Sequence, residues 1–505
     1  MSYRFDPYLI LGLTPNAEDK TIQQVYNGLV AHLQANPRGA AREQLQMVHE
    51  AYQLLNDPYQ RRRYDDHASK IDELTRKNSR FNLRLTPSKR SVKPLGEEQV
   101  IYVLSEIFAP HGISDQMEER EVRLNLTLVI DQSRSMDDDG RMKRVIAAAQ
   151  TIITELTQDD VISIISFNDR ATTIIPATPV HDVMALRARV SMIQPRGGTE
   201  IFQGLQAGIN ENRKHLAPEM VNHIILLTDG RTYGDEQQCL DLAQQAATEG
   251  IGISAMGLGD EWNDKFLDQL VSYSGGTSTF IKSVNMVSNF MDLQLRSLSN
   301  AFAERVNLSI VTSPDISIEM AFKISPNPQP LSVSNGVVPL AALQPKRPIS
   351  VLLQLQLPAK LPDKFINIGH FVGSGDMMLN QAKRFYTASD LSVTVRSEYI
   401  DDSPPASIVD ALSKLTLYRL QEKAQEALEG GDADEATRHL KYLATRLIDM
   451  GEHELGQQAM AEANHIDQTR AFSNEETKKT IKYQTRALID PGASLQGVTA
   501  LLDGD

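Results

Sequence analysis

Asp131, Ser133 and Ser135 alternate along Asp131-Gln132-Ser133-Arg134-Ser135, directly after the apolar run Leu124 to Ile130, which only Asn125 and Thr127 interrupt. Two later stretches end in the same kind of group. Gln194-Pro195-Arg196-Gly197-Gly198-Thr199-Glu200 is a glycine-rich loop that closes on a hydroxyl before a helix, and the run Val221 to Thr228 leads into Asp229-Gly230. Two acids and three hydroxyls at strand ends are hard oxygen donors, with no His or thiolate among them. That set suits a small hard cation, magnesium above all, with manganese and calcium as alternatives. Taken alone, an Asp followed by Ser after a strand is more often a helix N-cap. Asp131, Ser133, Ser135, Thr199 and Asp229 together favour a cation, because open α/β sheets bind ligands at the carboxyl ends of their strands.

The elements that would position these groups alternate between strand and helix, the pattern of a parallel sheet covered on both faces. Leu124 to Ile130 reads as a strand and Met142 to Leu156 as an amphipathic helix with Val145, Ala148, Ala149, Ile152 and Ile153 inward. Val161 to Phe167 and Ala171 to Ile175 read as a hairpin around Asn168-Asp169-Arg170. Helices follow at His181–Met192, Glu200–Asn212, Glu236–Thr248, Asn263–Tyr273 and Met286–Ala301, with strands at Ile251–Gly257 and Ser278–Ile281. Gly257-Leu258-Gly259-Asp260 lacks the third glycine of a dinucleotide fingerprint and reads as a turn. Trp262 reads as packing, His223 as a flanking residue and Cys239 as inert.

Composition bounds the rest. A chain of 505 residues implies three or four domains. A net charge of −14 argues against general nucleic-acid binding, which needs a basic footprint. One cysteine excludes an internal disulfide framework and favours a reducing compartment. The N-terminus lacks a basic segment followed by an apolar core, and no apolar run approaches the ~20 residues that cross a bilayer. The expectation is a cytoplasmic protein, bacterial in style, with no membrane or nucleic-acid partner.

The D-x-S-x-S stretch, the later Thr199 and the later Asp229 resemble the metal-ion-dependent adhesion site of von Willebrand factor type A (vWA) domains, over roughly Leu124 to Leu298. The resemblance implies a doubly wound Rossmann-like sheet. It also implies a magnesium ion held by Asp131, Ser133, Ser135, Thr199 and Asp229, with one position left for an acidic residue of a partner protein. A second resemblance lies near the start. Asp6-Pro7-Tyr8-Leu9-Ile10-Leu11-Gly12-Leu13 and the close Ala51-Tyr52 to Asn56-Asp57-Pro58-Tyr59, then Arg61 to Asp65, resemble a DnaJ-type J domain. In that family a His-Pro-Asp loop stimulates a DnaK-type chaperone; here Gln34, Ala35 and Asn36 stand in its place, so the J loop is degenerate. Arg61-Arg62-Arg63 reads as a solvated helix face.

The expected layout is a J-like helical domain at 1–68, a basic linker at 69–97, a β-sandwich formed by 98–122 with 303–400, the vWA domain at 123–302 and a C-terminal helical domain at 401–505. The linker rests on Arg76 to Lys93, seven Lys or Arg and no acid. The sandwich rests on alternating runs at Arg305–Thr312, Ser350–Leu357 and Leu391–Val395, separated by prolines 326, 328 and 330 and a Gly373-Ser374-Gly375 turn. The strand near Val100 would join it and make the vWA-like region an insertion. Lys478 to Arg486 reads as a basic run, and the residues after Pro491 as flexible.

Three function classes compete. The leading one is a divalent-metal-dependent interaction adaptor whose metal site docks an acidic partner residue. A co-chaperone role through the J-like unit is second. A metal-dependent hydrolase is third, but a haloacid-dehalogenase-type site needs an acid two residues after its Asp nucleophile, where Ser133 stands. No P-loop or Ser-His-Asp order can be placed, so the expectation is no enzyme.

Overall fold

The structure is a computed structural model that describes residues 7–11, 13, 17–35, 41–62, 82–110, 122–230, 232, 234–281, 286–313, 315–334, 336–361, 364–378, 383–397 and 403–489. Asn36, Arg63, residues 69–81 and the stretch after Pro491 lie outside these.

The N-terminal unit packs α1 (Pro7–Leu11), α2 (Asp19–Ala35) and α3 (Ala41–Asn56) around Tyr8, Leu11, Leu13, Ile22, Val48, Ala51 and Leu55. Val48, Ala51 and Leu55 recur at three-to-four spacing, so α3 presents one apolar stripe. The Tyr26 and Tyr52 rings stack 3.8 Å apart, and Tyr26 Oη lies 2.7 Å from His49 Nδ1. Arg61 is not a solvated residue. It donates to Tyr8 Oη at 3.0 Å, Asp19 Oδ1 at 2.7 Å and the Ala17 carbonyl at 2.6 Å, tying α1 to the start of α2.

Part of the basic stretch read as a linker is sheet. β1 (Asn82–Pro87) pairs antiparallel with β3 (Gln99–Phe108), and β2 (Ser91–Val92) pairs parallel with the last strand of the sandwich. The cause is alternation within the basic run: Leu83 and Leu85 pack on the sandwich core while Arg84, between them, faces out to Glu106 at 2.7 Å. β1 is an edge strand, where Arg and a terminal Pro are tolerated.

The α/β unit then runs β4 (Arg123–Asp131), α4 (Arg141–Glu155), β5 (Val161–Phe167), β6 (Ala171–Pro179), α5 (Val183–Val190), α6 (Ile201–Arg213), β7 (Met220–Thr228), α7 (Glu236–Thr248), β8 (Gly252–Leu258), α8 (Asp264–Ser272), β9 (Ser278–Ile281) and α9 (Met286–Ser299). Its sheet has the order β6-β5-β4-β7-β8-β9, parallel except for β6. One core under α4, α5 and α9 and another under α6, α7 and α8 cover its two faces. β4 is therefore buried from Leu124 to Asp131. The polar interruptions in β4 bond across to neighbouring elements: Asn125 Nδ2 donates to Asn222 Oδ1 at 2.9 Å, and Asn212 Nδ2 donates to Thr127 Oγ1 at 3.0 Å. These bonds help to fix β4, α6 and β7 in register, because buried donors seek partners.

The chain returns to the sandwich through β10 (Ala303–Thr312), β11 (Ser317–Ser325), β12 (Gln329–Leu331), β13 (Val337–Leu343), β14 (Ile349–Leu357), β15 (Phe365–Met377) and β16 (Lys383–Val395). The sheets have the orders β1-β3-β14-β11-β12 and β13-β10-β15-β16-β2. β3 precedes the α/β unit in the chain, and it pairs with β14 from Gln99↔Leu357 to Ile107↔Ile349. Gly373-Ser374-Gly375 does not turn the chain. It lies inside β15 between β10 and β16, with Ser374 fully buried; small residues suit a strand crowded on both edges.

The helices α10 (Ala406–Glu429), α11 (Ala433–Asp449), α12 (His453–Thr469) and α13 (Glu475–Ile489) form the C-terminal unit. Their core includes Leu417, Leu440, Leu443, Leu447, Ala459 and Ile466. α10 also covers the outer face of the β3-β14-β11 sheet, where Ile408, Ala411, Leu415 and Tyr418 meet Leu104, Phe322 and Leu352. This explains the unbroken Val351-Leu352-Leu353, which is buried on both faces. No helix among the described residues is long and apolar enough to cross a membrane.

Candidate metal centre

Parallel pairing of β4 with β7 brings their carboxyl ends side by side, with Ile130 opposite Leu227. Asp131 thus lies next to Thr228, whose Oγ1 donates to Asp131 Oδ2 at 2.7 Å. The chain turns sharply after β4. The Ser133 amide donates back to Asp131 Oδ1 at 2.8 Å, and the buried Met136 anchors a short 3-10 segment, Arg134–Gly140. The turn places Ser133 Oγ and Ser135 Oγ 3.1 Å apart, and both donate to Asp229 Oδ1, at 3.2 and 2.9 Å. Asp131, Ser133, Ser135 and Asp229 therefore form one hydrogen-bonded cluster.

Thr199 comes from a third loop, docked by backbone contacts. The Arg196 amide donates to the Gln132 carbonyl at 2.6 Å, and the Glu200 amide to the Asn168 carbonyl at 2.8 Å. The N-terminus of α6 is capped from the loop after Asp229: Thr232 Oγ1 accepts from the Ile201 amide at 3.1 Å, and Asp235 Oδ2 from the Phe202 amide at 2.9 Å. Thr199 Oγ1 faces the residue after Asp229, 3.1 Å from where a Cβ on Gly230 would sit. The structure thus puts Thr199 beside the cluster without a hydrogen bond to it.

The site is nearly dry. Asp131 and Asp229 are 0 % and 1 % exposed. Burial pushes the Asp131 carboxyl up to about 6, against the Thr228 hydroxyl and Ser133 amide that favour its charge; the neighbouring Asp229 adds to the rise. Among the described residues no basic side chain pairs with Asp131, and buried charge without a partner is costly. Nowhere among them do three His, Cys, Asp or Glu side chains converge, so a cation here must take hydroxyl oxygens as well. Two acids and three hydroxyls are the hard oxygen donors that suit a magnesium-like ion.

The sequence reading passed over Arg141. Its Nη1 donates to Asp229 Oδ2 at 2.9 Å and lies 3.5 Å from the Ser135 carbonyl. Asp139 and Gly140 take left-handed φ values of 52° and 70°, which swing the first residue of α4 back over the cluster. A signal was present: a cation in the first turn of a helix opposes the helix dipole, so its place there points to another partner. Thr228 was also missed, although its spacing on β7 places it opposite Asp131.

The other singled-out residues are structural. Trp262 is buried against Gly257, and its Nε1 donates to the Gly259 carbonyl at 2.8 Å. His223 lies 3.0 Å from Ser254 Oγ and burial pushes it down to about 4. Burial raises the Cys239 thiol, which makes it a poor nucleophile. Gln34 and Ala35 close α2.

Family models match three parts of the chain: a DnaJ domain at residues 6–65, a von Willebrand factor type A domain at 125–296 and an Sll0103-like C-terminal alpha-helical domain at 406–491. The uncharacterized protein sll0103 of Synechocystis sp. is 27% identical over 384 residues, covering 74% of this chain and 90% of its own. Inter-alpha-trypsin inhibitor heavy chain H2 of Mus musculus is 32% identical over 181 residues, 34% of this chain and 18% of that protein. Among solved structures, a von Willebrand factor type A protein from Catenulispora acidiphila superposes with a TM-score of 0.62 at 15% identity, covering 76% of this chain and 90% of that one. The ArnB paralog VWA2 from Sulfolobus acidocaldarius gives 0.51 at 13% identity, covering 82% and 99%. At these identities the structural likeness concerns the fold.

Proposed function

We propose that this chain, which carries a DnaJ domain at residues 6–65 and a von Willebrand factor type A domain at 125–296, is a divalent-metal-dependent interaction adaptor and not an enzyme. The observation that carries the reading is the paired burial of Asp131 and Asp229 with the Ser133 and Ser135 hydroxyls between them. Asp131, Ser133, Ser135, Thr199 and Asp229 would hold the ion, magnesium first, with manganese or calcium as alternatives. The bound ion supplies Lewis acidity toward an incoming carboxylate. Ser133, Ser135 and Thr199 offer neutral oxygens, which leave the ion's charge largely unspent. Thr228 and the Ser133 amide orient the Asp131 carboxylate, as outer partners do for metal ligands generally. The partner is a protein that presents an acidic residue. Nucleic acid and membrane are not proposed partners, and the proposed location is the cytoplasm.

Affinity capture from native lysate tests this in three arms: magnesium, chelator, and Asp131→Ala in magnesium. A protein retained only by the wild type in magnesium supports docking through the metal. Identical capture in all three arms removes the site from the interaction.

A second reading has its own observation. α1–α3 pack around a shared apolar core, so the DnaJ domain can present a surface to a DnaK-type chaperone. Because Gln34, Ala35 and Asn36 replace His-Pro-Asp, we expect no ATPase stimulation by the wild-type chain. Stimulation in a DnaK ATPase assay would overturn that expectation.

A further inference from the structure

Arg141 gives the candidate site a cation of its own. One oxygen of Asp229 takes the two serine hydroxyls, and the other takes Arg141 Nη1 at 2.9 Å. Asp229 is fully buried in this pair, while the Arg141 side chain keeps 17 % exposure. The guanidinium is the charge that a dication would need to displace or share, and its own charge repels the incoming ion in a poorly screened place.

The seat of Arg141 is built by a loop between β8 and α8. Gly259 lies against the guanidinium: a Cβ there would come within 2.9 Å of Nη2, so a side chain at this position would push Arg141 away. Gly259 also takes a φ of +69°, which favours glycine. The loop is tied to β9 by the Gly259 amide, which donates to the Ile281 carbonyl at 3.2 Å, and to Trp262 through its indole. Its far side is held by the C-terminal unit. Lys479 of α13 is fully buried, donates to the Asp260 carbonyl and to the Trp262 carbonyl at 2.6 Å, and sits 4.4 Å above the Trp262 ring. A continuous set of contacts therefore runs from α13 through the Gly259–Trp262 loop to Arg141 and Asp229.

We propose that Arg141 is an internal counter-cation that sets the metal affinity of this site, and that the C-terminal helical domain controls it by bracing the loop on which Arg141 rests. The inference rests on the metal-binding reading above. With Lys479 in place the guanidinium stays on Asp229 and the ion binds weakly. Movement of α13 frees the loop, releases Arg141 and tightens the ion. A ligand that lifts the helical domain would thereby switch the adhesion site on.

The test is isothermal titration of the full chain with magnesium and with manganese. The variants are Arg141→Gln, Arg141→Lys, Lys479→Met, the Arg141→Gln/Lys479→Met double variant and Asp131→Ala, each checked by circular dichroism and thermal melting. Arg141→Gln is expected to tighten the ion by about tenfold or more, since a nearby positive charge is lost. Arg141→Lys should stay near wild type. Lys479→Met should tighten the ion in the wild-type background and have no further effect beside Arg141→Gln, the signature of coupled residues. Unchanged or weaker binding in Arg141→Gln overturns the counter-cation role. An equal Lys479→Met effect with and without Arg141 overturns the route through it. The absence of binding in every folded variant, or undiminished binding in Asp131→Ala, overturns the metal reading itself.

Discussion

Asp131 and Asp229 end neighbouring strands but have different partners. Asp229 has Arg141 and two serine hydroxyls, whereas Asp131 has Thr228 and a backbone amide. Without metal, Asp131 is therefore a buried charge with little compensation. Asp131→Asn should leave the melting temperature in chelator unchanged or raise it by a few degrees, because the substitution removes that charge. In saturating magnesium the wild type should gain about 2–3 kcal/mol at a hundredfold excess over the dissociation constant, and the variant nothing. Melting with and without magnesium measures both. Glu304, half-buried at the start of β10, is another poorly compensated acid, with Oε1 buried and without a hydrogen-bond partner among the described residues. Burial pushes it up to about 7, and Asp376 adds to this against Arg305. Its folded value lies above its unfolded one, so its contribution to stability is full below the unfolded value near 4.5 and is lost as pH rises through 7. The loss is of order 2–3 kcal/mol. Glu304→Gln should flatten the fall in melting temperature between pH 5 and 8; an unchanged slope would exclude Glu304 as its source.

At the scale of elements, period and punctuation carried most of the reading. The strand ahead of each acid was legible as a near-continuous apolar run, because it is buried on both faces, and the helices flanking the sheet because one face of each is apolar at helical period. The stretches that meet in the hydrogen-bonded cluster of Asp131, Ser133, Ser135 and Asp229 could be picked out because they sit where those strands end. What stayed hidden depends on partners distant in the chain. Leu83-Arg84-Leu85 alternates like a strand, but the basic charge around it outweighed three residues of pattern until β3 was there to pair with. Lys479, Lys482 and Arg486 recur at helical spacing and read as a basic run, yet they are a buried face. Lys482 Nζ contacts Asp264 and lies 2.9 Å from Asp268, and Arg486 binds both Asp268 oxygens, at 2.9 and 2.6 Å. Nothing local announces that α8 places its two acids opposite. Burial alone would raise Asp268, but Arg486 and Lys482 outweigh it and hold the carboxyl well below its usual range. That stability is full above the unfolded value near 3.8 and is lost progressively as pH falls from there through the depressed folded value. Asp268→Asn at pH 7 leaves Arg486 buried and half-paired, and should cost about 3–5 kcal/mol, measured by denaturant unfolding. A cost below about 1 kcal/mol would mean that water reaches the pair and screens it.

At the scale of the whole molecule, the C-terminal helices join two units that the chain order keeps apart. The sandwich is closed by β3, which comes before the α/β unit, and by β14, which comes after it. The two units also touch directly, where the buried Lys323 Nζ of β11 donates to the Gly275 carbonyl at 2.8 Å. The helical unit packs on both. α10 lays Ile408, Leu415 and Tyr418 on Leu104, Phe322 and Leu352 of the sandwich, while α13 sets Lys479, Lys482 and Arg486 on α8 and the loop before it. The first contact is apolar and insensitive to salt; the second is ionic and sensitive to acid. A chain ending at residue 402 would expose the apolar face and leave Asp264 and Asp268 without counter-charge. Its melting temperature should fall by about 5 °C or more, and it should bind a hydrophobic dye that the full chain does not. The two contacts can be separated in the full chain. Leu415→Ala should cost about 2–4 kcal/mol at pH 7 and pH 3 alike, as a core truncation does. Asp268→Asn should cost most at pH 7 and about 1 kcal/mol less at pH 3, where the unfolded carboxyl is largely protonated while the native pair is still ionised. Equal pH dependence of the two variants would mean that the helical unit leaves both surfaces as one body.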